Sequence, residues 1–113
     1  MRKARALLLA WGVIAATVSA TPAIAVGDAS PKAHTVIIEQ MRFTPSTLIV
    51  HRGDRVTWIN KDLFPHTASA NSKAFDSKSI ASNASWTYVA ERPGTYPYLC
   101  IFHPGMTGTL TVQ

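Results

Sequence analysis

The sequence is poor in several features that would assign it to a familiar class. Only one of its 113 residues is cysteine, so no disulfide framework can form within a single chain. Charged residues make up 15% of the chain, which is low for an ordinary soluble domain. No window of eleven or more residues after position 25 has the 3.6-residue period of an amphipathic helix. These shortages argue against a disulfide-stapled fold and against a helical one.

The one long apolar segment lies at the N-terminus. Residues 6–20 carry no charge, follow three basic residues within the first five positions, and lead to an Ala-x-Ala sequence at residues 23–25. This three-part order is typical of a Sec-type signal peptide with its cleavage site. The sequence therefore predicts a signal peptide over residues 1–25 and an exported, periplasmic domain over residues 26–113.

An uncleaved membrane anchor is the alternative interpretation of this segment, since it is about long enough to span a bilayer. Ser19, Thr21 and Pro22 fall where a membrane span stays apolar, which favours cleavage. A lipoprotein is excluded because the only cysteine, Cys100, lies far from the N-terminus. We therefore expect no membrane association after cleavage.

The positive charge of the chain belongs largely to the targeting segment. The whole sequence has 11 Lys and Arg against 6 Asp and Glu, and the predicted mature domain keeps eight against six. No basic run or stripe is left in that domain, so nucleic acid is not expected as a partner.

The rest of the chain has the pattern of short β-strands. Apolar runs made mainly of β-branched residues occur at residues 36–38 and 48–50, and residues 55–59 alternate so that Val56 and Trp58 share one face. Turn sequences rich in Gly, Pro and Asp separate these runs. Six to eight short strands with regularly spaced turns predict an all-β fold, an antiparallel Greek-key β-sandwich.

Three side chains that can bind metal lie close together near the C-terminus. Cys100, His103 and Met106 are spaced three residues apart, and Pro104-Gly105 disfavours a helix there. The sequence therefore predicts a loop between two strands that aims the three donors at one point. A thiolate, an imidazole and a thioether are soft and borderline donors, which suit copper better than Mg²⁺ or Ca²⁺.

A second imidazole would complete this donor set. His66 follows a proline in the loop after residue 59, and in a sandwich that loop and the loop after Cys100 can lie at the same end. His34 and His51 are expected to be solvated or strand-edge residues away from the donors. Two imidazoles, a thiolate and a weak axial thioether define the blue-copper electron-transfer site.

These motifs follow one another in the order found in a known family. The chain resembles the small type 1 copper proteins, the cupredoxins related to amicyanin, plastocyanin and pseudoazurin, from about His34 to Val112. The short Cys-x-x-His-x-x-Met interval is of the form typical of amicyanin. Four segments carry the resemblance: residues 41–45, 50–58, 65–66 and 94–100. It implies one type 1 copper per chain, with four ligands: His66, Cys100, His103 and Met106.

One residue departs from the pattern of this family. Many members have Asn after the first ligand histidine, where its hydrogen bonds tie the two ligand loops together, and this chain has Thr67. A Thr hydroxyl can also bridge backbone groups, so we expect changed hydrogen bonds around an intact site. The reduction potential is the property that this change would affect.

These features bear on four classes of function. We expect a monomeric, exported carrier of one electron that cycles Cu(II)/Cu(I) between redox partner proteins. The partners would dock on an apolar surface formed by four residues: Phe64, Phe102, His103 and Pro104. A periplasmic copper carrier or chaperone is the alternative, although no Met-rich tract lies outside the predicted ligand loop.

An enzyme is not expected, because no His-x-His pair occurs and the closed ligand set leaves no position for a substrate. A metal-free binding module would lack at least one ligand.

Overall fold

The computed structural model describes residues 2–4, 6–23 and 30–113. In this part of the chain there is no helix, and eight strands lie between residues 33 and 112. The strands are β1 (Ala33–Glu39), β2 (Arg42–Thr44), β3 (Thr47–Val50), β4 (Arg55–Asn60), β5 (Ser69–Ala70), β6 (Ser85–Val89), β7 (Gly94–Cys100) and β8 (His103–Val112).

The strands form two four-stranded sheets. One sheet has the order β2-β1-β4-β6 and the other the order β3-β8-β7-β5. β1 pairs with β4 in parallel, and β3 pairs with β8 in parallel, whereas the other neighbours are antiparallel. The expected all-β sandwich is confirmed, but its sheets are mixed rather than purely antiparallel. The period of two that marks a strand is the same beside a parallel or an antiparallel neighbour, so the sequence pattern could not distinguish them.

The core follows the alternation that the sequence pattern predicts. Val56 and Trp58 of β4 are fully buried, as are Val36 and Ile38 of the neighbouring β1. From the other sheet, the ring of Tyr98 meets Trp58 edge-on, with 5.5 Å between ring centroids. Trp58 and Tyr98 therefore pack across the two sheets, and they stabilise the fold through buried apolar area and an edge-to-face contact.

A close approach between β7 and β8 requires a glycine. Tyr98 lies opposite Gly108 in the pairing of these strands. A Cβ atom at position 108 would lie 2.4 Å from Cζ of Tyr98. Only the absence of a side chain at position 108 leaves room for the tyrosine ring at this point of β8.

The buried carboxylate of Asp54 forms several hydrogen bonds just before β4 begins. Asp54 accepts hydrogen bonds from the backbone N–H groups of Lys32 at 2.9 Å and His51 at 3.0 Å, and from Nε2 of His34 at 2.9 Å. The bonds from Lys32, His51 and His34, in that order of size, hold the pKa of Asp54 well below its ordinary value against the effect of burial. His34 was expected to be solvated or at a strand edge. In the structure it is a residue of β1 with a 25% exposed side chain that also bonds the carboxylate of Asp54.

The segment predicted as a signal peptide contains no strand or helix in residues 2–4 and 6–23. The described part of the chain contains no helix with the length and hydropathy needed to span a membrane. The predicted cleavage site includes Ile24 and Ala25, which lie outside the described residues. Cleavage after residue 25 therefore stays a prediction.

Candidate metal centre

The loop after β4 holds His66 in a buried position. The side-chain amide of Asn60 donates to the backbone carbonyls of Phe64 at 2.8 Å and Ile80 at 2.9 Å, and its Oδ1 accepts the N–H of Asp62 at 2.9 Å. The backbone of His66 exchanges two further hydrogen bonds with Ile80, at 2.7 and 3.1 Å. The loop is closed by these bonds, and the His66 side chain is fully buried.

The other three predicted ligands come from the junction of β7 and β8. Cys100 ends β7 and is fully buried, His103 begins β8 and is half-buried, and Met106 lies inside β8 with 5% of its surface exposed. The predicted loop is therefore much shorter than expected, a turn at residues 101–102 between paired Cys100 and His103. Pro104-Gly105 excludes a helix, as predicted, but it does not prevent extended chain, so β8 begins immediately after the turn.

The structure brings His66 and Cys100 into contact. Nδ1 of His66 lies 3.6 Å from Sγ of Cys100, and the backbone N–H of Thr67 donates to the same sulfur at 3.3 Å. The ring of His103 lies beside that of His66, with 5.3 Å between their centroids. Met106 is also near His66 and Cys100. Two loops that are distant in sequence therefore meet at one end of the sandwich, as the sequence predicts.

The chemistry of these donors fits copper. His66 and Cys100 are the two fully buried donors, and Cys100 forms no disulfide. Within residues 2–4, 6–23 and 30–113, no three His, Cys, Asp or Glu side chains lie together in an arrangement that could hold a metal ion by themselves. A thiolate, imidazole nitrogens and a thioether suit copper, whereas Ca²⁺ and Mg²⁺ take oxygen ligands.

A carboxylate that the sequence analysis missed lies behind His66. Oδ2 of Asp62 is 2.8 Å from Nε2 of His66, and the carboxylate also accepts the N–H groups of Gln40 at 2.7 Å and Met41 at 3.1 Å. Burial raises the pKa of Asp62, but the hydrogen bonds from Met41, Gln40 and His66 outweigh it and leave the pKa below its ordinary value. The spacing of four residues from His66 was the one sequence signal for this contact.

Thr67, which stands where many family members have asparagine, bridges the two loops of the site. Its hydroxyl oxygen accepts the backbone N–H of Ile101 at 2.9 Å, and the hydroxyl of Ser69 lies 3.0 Å from the same oxygen. Together with the bond from the Thr67 N–H to Cys100, this ties the His66 loop to the turn between β7 and β8. The Thr67 hydroxyl thus bridges backbone groups, as the sequence analysis allowed for.

Exposed apolar side chains lie next to the proposed ligands in the sequence. Phe64 is 62% exposed and Phe102 50% exposed, Pro104 is exposed, and His103 is half-buried. We call these four residues the apolar cap. They are the residues predicted to form a docking surface, and the structure leaves all of them accessible to a partner.

The mixed β-sandwich and its buried Cys and His donors define a small copper-binding domain, and residues 5–112 match the cupredoxin-like domain family. The chain belongs to this family. The amicyanin-alpha of Methylorubrum extorquens is 31% identical over 116 residues, covering 93% of this chain and 98% of that protein. The plastocyanin of Scenedesmus fuscus is 34% identical over 84 residues, covering 63% of this chain and 86% of that protein. A solved copper(I) structure of an amicyanin methionine-to-alanine variant matches with a TM-score of 0.67 at 29% identity, covering 72% of this chain and 82% of that chain.

These comparisons confirm the family and the cofactor that the sequence motifs predict. The chain is a small blue copper protein with one type 1 copper, and electron transport is its class of function. The relatives are cupredoxins rather than enzymes, in agreement with the expectation that this chain is not an enzyme.

Proposed function

We propose that this chain is an exported electron carrier whose copper is held by four ligands: His66, Cys100, His103 and Met106. The contact between Nδ1 of His66 and Sγ of Cys100 at 3.6 Å, with both side chains fully buried, is the observation that carries the proposal. When bound, the copper supplies a one-electron Cu(II)/Cu(I) couple.

The surrounding residues hold the donors in one arrangement. Asn60 closes the loop that carries His66, and Thr67 joins that loop to the β7–β8 turn. Such hydrogen bonds orient metal ligands and restrict their movement. A site that moves little when its charge changes needs little reorganisation during electron transfer, which suits a carrier.

His103 provides the route from the buried site to the surface. It is half-buried within the apolar cap, whereas His66 and Cys100 have no exposed surface. A small apolar surface suits brief docking with a redox partner, because it gives contact without a permanent interface. We propose that partners dock on the apolar cap, that the protein is a monomer, and that the N-terminal segment directs it to the periplasm.

The alternative function, copper delivery, makes a different demand on the same residues. A copper carrier must release its ion to a recipient, whereas an electron carrier must retain the ion through both redox states. The test is to load the purified chain with copper, record its voltammogram, and then add a Cu(I) chelator to the reduced protein. A reversible one-electron couple with copper retained supports the proposal. Rapid loss of copper to the chelator would overturn it in favour of copper delivery.

The axial position has a test of its own. Replacing Met106 by Leu removes the thioether but keeps a buried apolar side chain of similar volume. We expect copper binding and the thiolate absorption to persist with a changed reduction potential, because a weak axial ligand tunes the potential of such sites. An unchanged potential in Met106→Leu would remove Met106 from the proposed ligand set.

A further inference from the structure

We infer that Asp62 is a positioning residue for the copper site, which sets the ring of His66 and lowers the reduction potential. The inference rests on the proposed function, since it concerns one of the proposed ligands. Asp62 is not itself proposed as a ligand. Its carboxylate contacts Nε2 of His66 at 2.8 Å, whereas Cys100 faces the other ring nitrogen, Nδ1.

The contact selects one tautomer of the histidine. An ionised carboxylate has no proton to donate, so Nε2 of His66 must carry the hydrogen of this bond. In the neutral imidazole Nδ1 is then left with a free lone pair, directed toward the side of Cys100. A bond from the far nitrogen of a ligand histidine to a carboxylate orients the ring and makes it a stronger donor.

The carboxylate is itself held in place from a distant part of the chain. It accepts the N–H groups of Gln40 and Met41, which form the turn between β1 and β2. Both residues have positive φ angles, 55° and 59°, a region that costs energy for residues other than glycine. Asp62 stabilises this turn, and the turn in return prevents the carboxylate from rotating away from His66.

The charge of Asp62 acts on the redox couple as well. Its side chain is only 14% exposed, so water screens its charge incompletely. A negative charge one imidazole ring away favours the more positive oxidised ion over the reduced one. The carboxylate therefore lowers the reduction potential relative to a site with a neutral group at this position.

The first test needs neither copper nor a substitution. The ¹⁵N NMR shifts of the His66 ring, measured in the metal-free chain with its thiol reduced, report which nitrogen carries the hydrogen. We expect hydrogen on Nε2. A ring with hydrogen mainly on Nδ1 would overturn the inference, whichever metal the protein binds.

The second test compares two variants that each remove one negative charge. Asp62→Asn neutralises the carboxylate that contacts His66. Glu39→Gln neutralises an exposed carboxylate at the end of β1, directly before Gln40. We expect Asp62→Asn to raise the reduction potential of the copper-loaded protein and Glu39→Gln to leave it unchanged. No shift in Asp62→Asn, or equal shifts in both variants, would overturn the inference.

The two tests also separate this inference from the proposed function. If the wild-type chain binds no copper as a blue site, the proposed function fails, whereas the tautomer of His66 is still measurable. If Asp62→Asn does not fold, the wild-type NMR result decides the inference alone.

Discussion

The backbone N–H of Thr67 donates a hydrogen bond to Sγ of Cys100 over 3.3 Å, although the two residues are 33 positions apart. The residue that follows one proposed ligand is thus bonded to the sulfur of another. The Thr67 hydroxyl adds a second bond, to the backbone N–H of Ile101 at 2.9 Å. One side chain and its own amide therefore join the two segments that form the site.

Replacing Thr67 by Val should destabilise the protein. Valine keeps the branched shape but leaves the partly buried N–H of Ile101 without its acceptor, which costs about 1–3 kcal/mol in the free energy of unfolding. Thr35→Val on the exposed face of β1 is the matched control, and it should change that free energy by less than about 0.5 kcal/mol. Urea unfolding of both variants gives the comparison. Equal free energies for the two variants would refute the bridging role of Thr67.

Adding a methyl group at Gly108 should also destabilise the fold. In Gly108→Ala the new Cβ would lie 2.4 Å from the ring of Tyr98, so the ring or the strand must shift, at a cost of about 1–3 kcal/mol. Gly105→Ala, where no atom lies within 4 Å, serves as the control and should cost much less. Thermal unfolding measures both. In a Tyr98→Leu background the penalty of Gly108→Ala should shrink, and an undiminished penalty would show that the ring is not its cause.

Asp54 predicts how stability depends on pH. Its pKa is lower in the folded protein than in the unfolded chain, so its contribution to stability is complete above the unfolded value of about 4. As the pH falls below that value toward the folded pKa, the unfolded state binds more protons and the contribution is lost. Asp54→Asn should therefore be less stable than wild type at pH 7, with a flatter dependence below pH 4. Urea midpoints across this range test the sign, and parallel curves for the two proteins would contradict it.

The apolar cap makes a prediction about rate rather than stability. Phe102→Ala should slow electron self-exchange severalfold, because the half-exposed ring contributes to contact between two molecules during transfer. The reduction potential should stay the same, since Phe102 is not a proposed ligand. Ile49→Ala, which removes an exposed apolar side chain of β3, is the control and should leave the rate unchanged. NMR line widths in mixtures of oxidised and reduced protein give the rates. Equal rates in the two variants would place docking elsewhere.

Local patterns were sufficient for the strands and for the meeting of His66 with Cys100. The alternation of Val56 and Trp58 correctly predicts the buried face of β4, and the loop that follows it carries His66 to Cys100. The parallel pairing of β1 with β4 could not be predicted, because it depends on which distant strands become neighbours. Tertiary pairing of this kind leaves little trace in the local period of two.

The side chains that support the site were harder to predict than the candidate ligands. Cys100 and His66 have chemistry that stands out in a sequence, whereas Asp62 looks like any polar residue of a loop. Its role depends on Gln40 and Met41, which lie about twenty positions earlier and come into reach only after the sandwich forms. For the same reason the bond between Asp54 and His34 emerged only from the structure.

The most direct test of the account is optical and EPR spectroscopy of the chain after addition of Cu(II), in the wild type and in Cys100→Ser. A thiolate bonded to Cu(II) in a blue-copper site gives an intense blue absorption and an unusually small copper hyperfine splitting. We predict both in the wild type and neither in Cys100→Ser. A pale wild-type protein with an ordinary tetragonal Cu(II) spectrum, or one that loses its copper on a desalting column, would contradict the proposed site and the electron-carrier function with it.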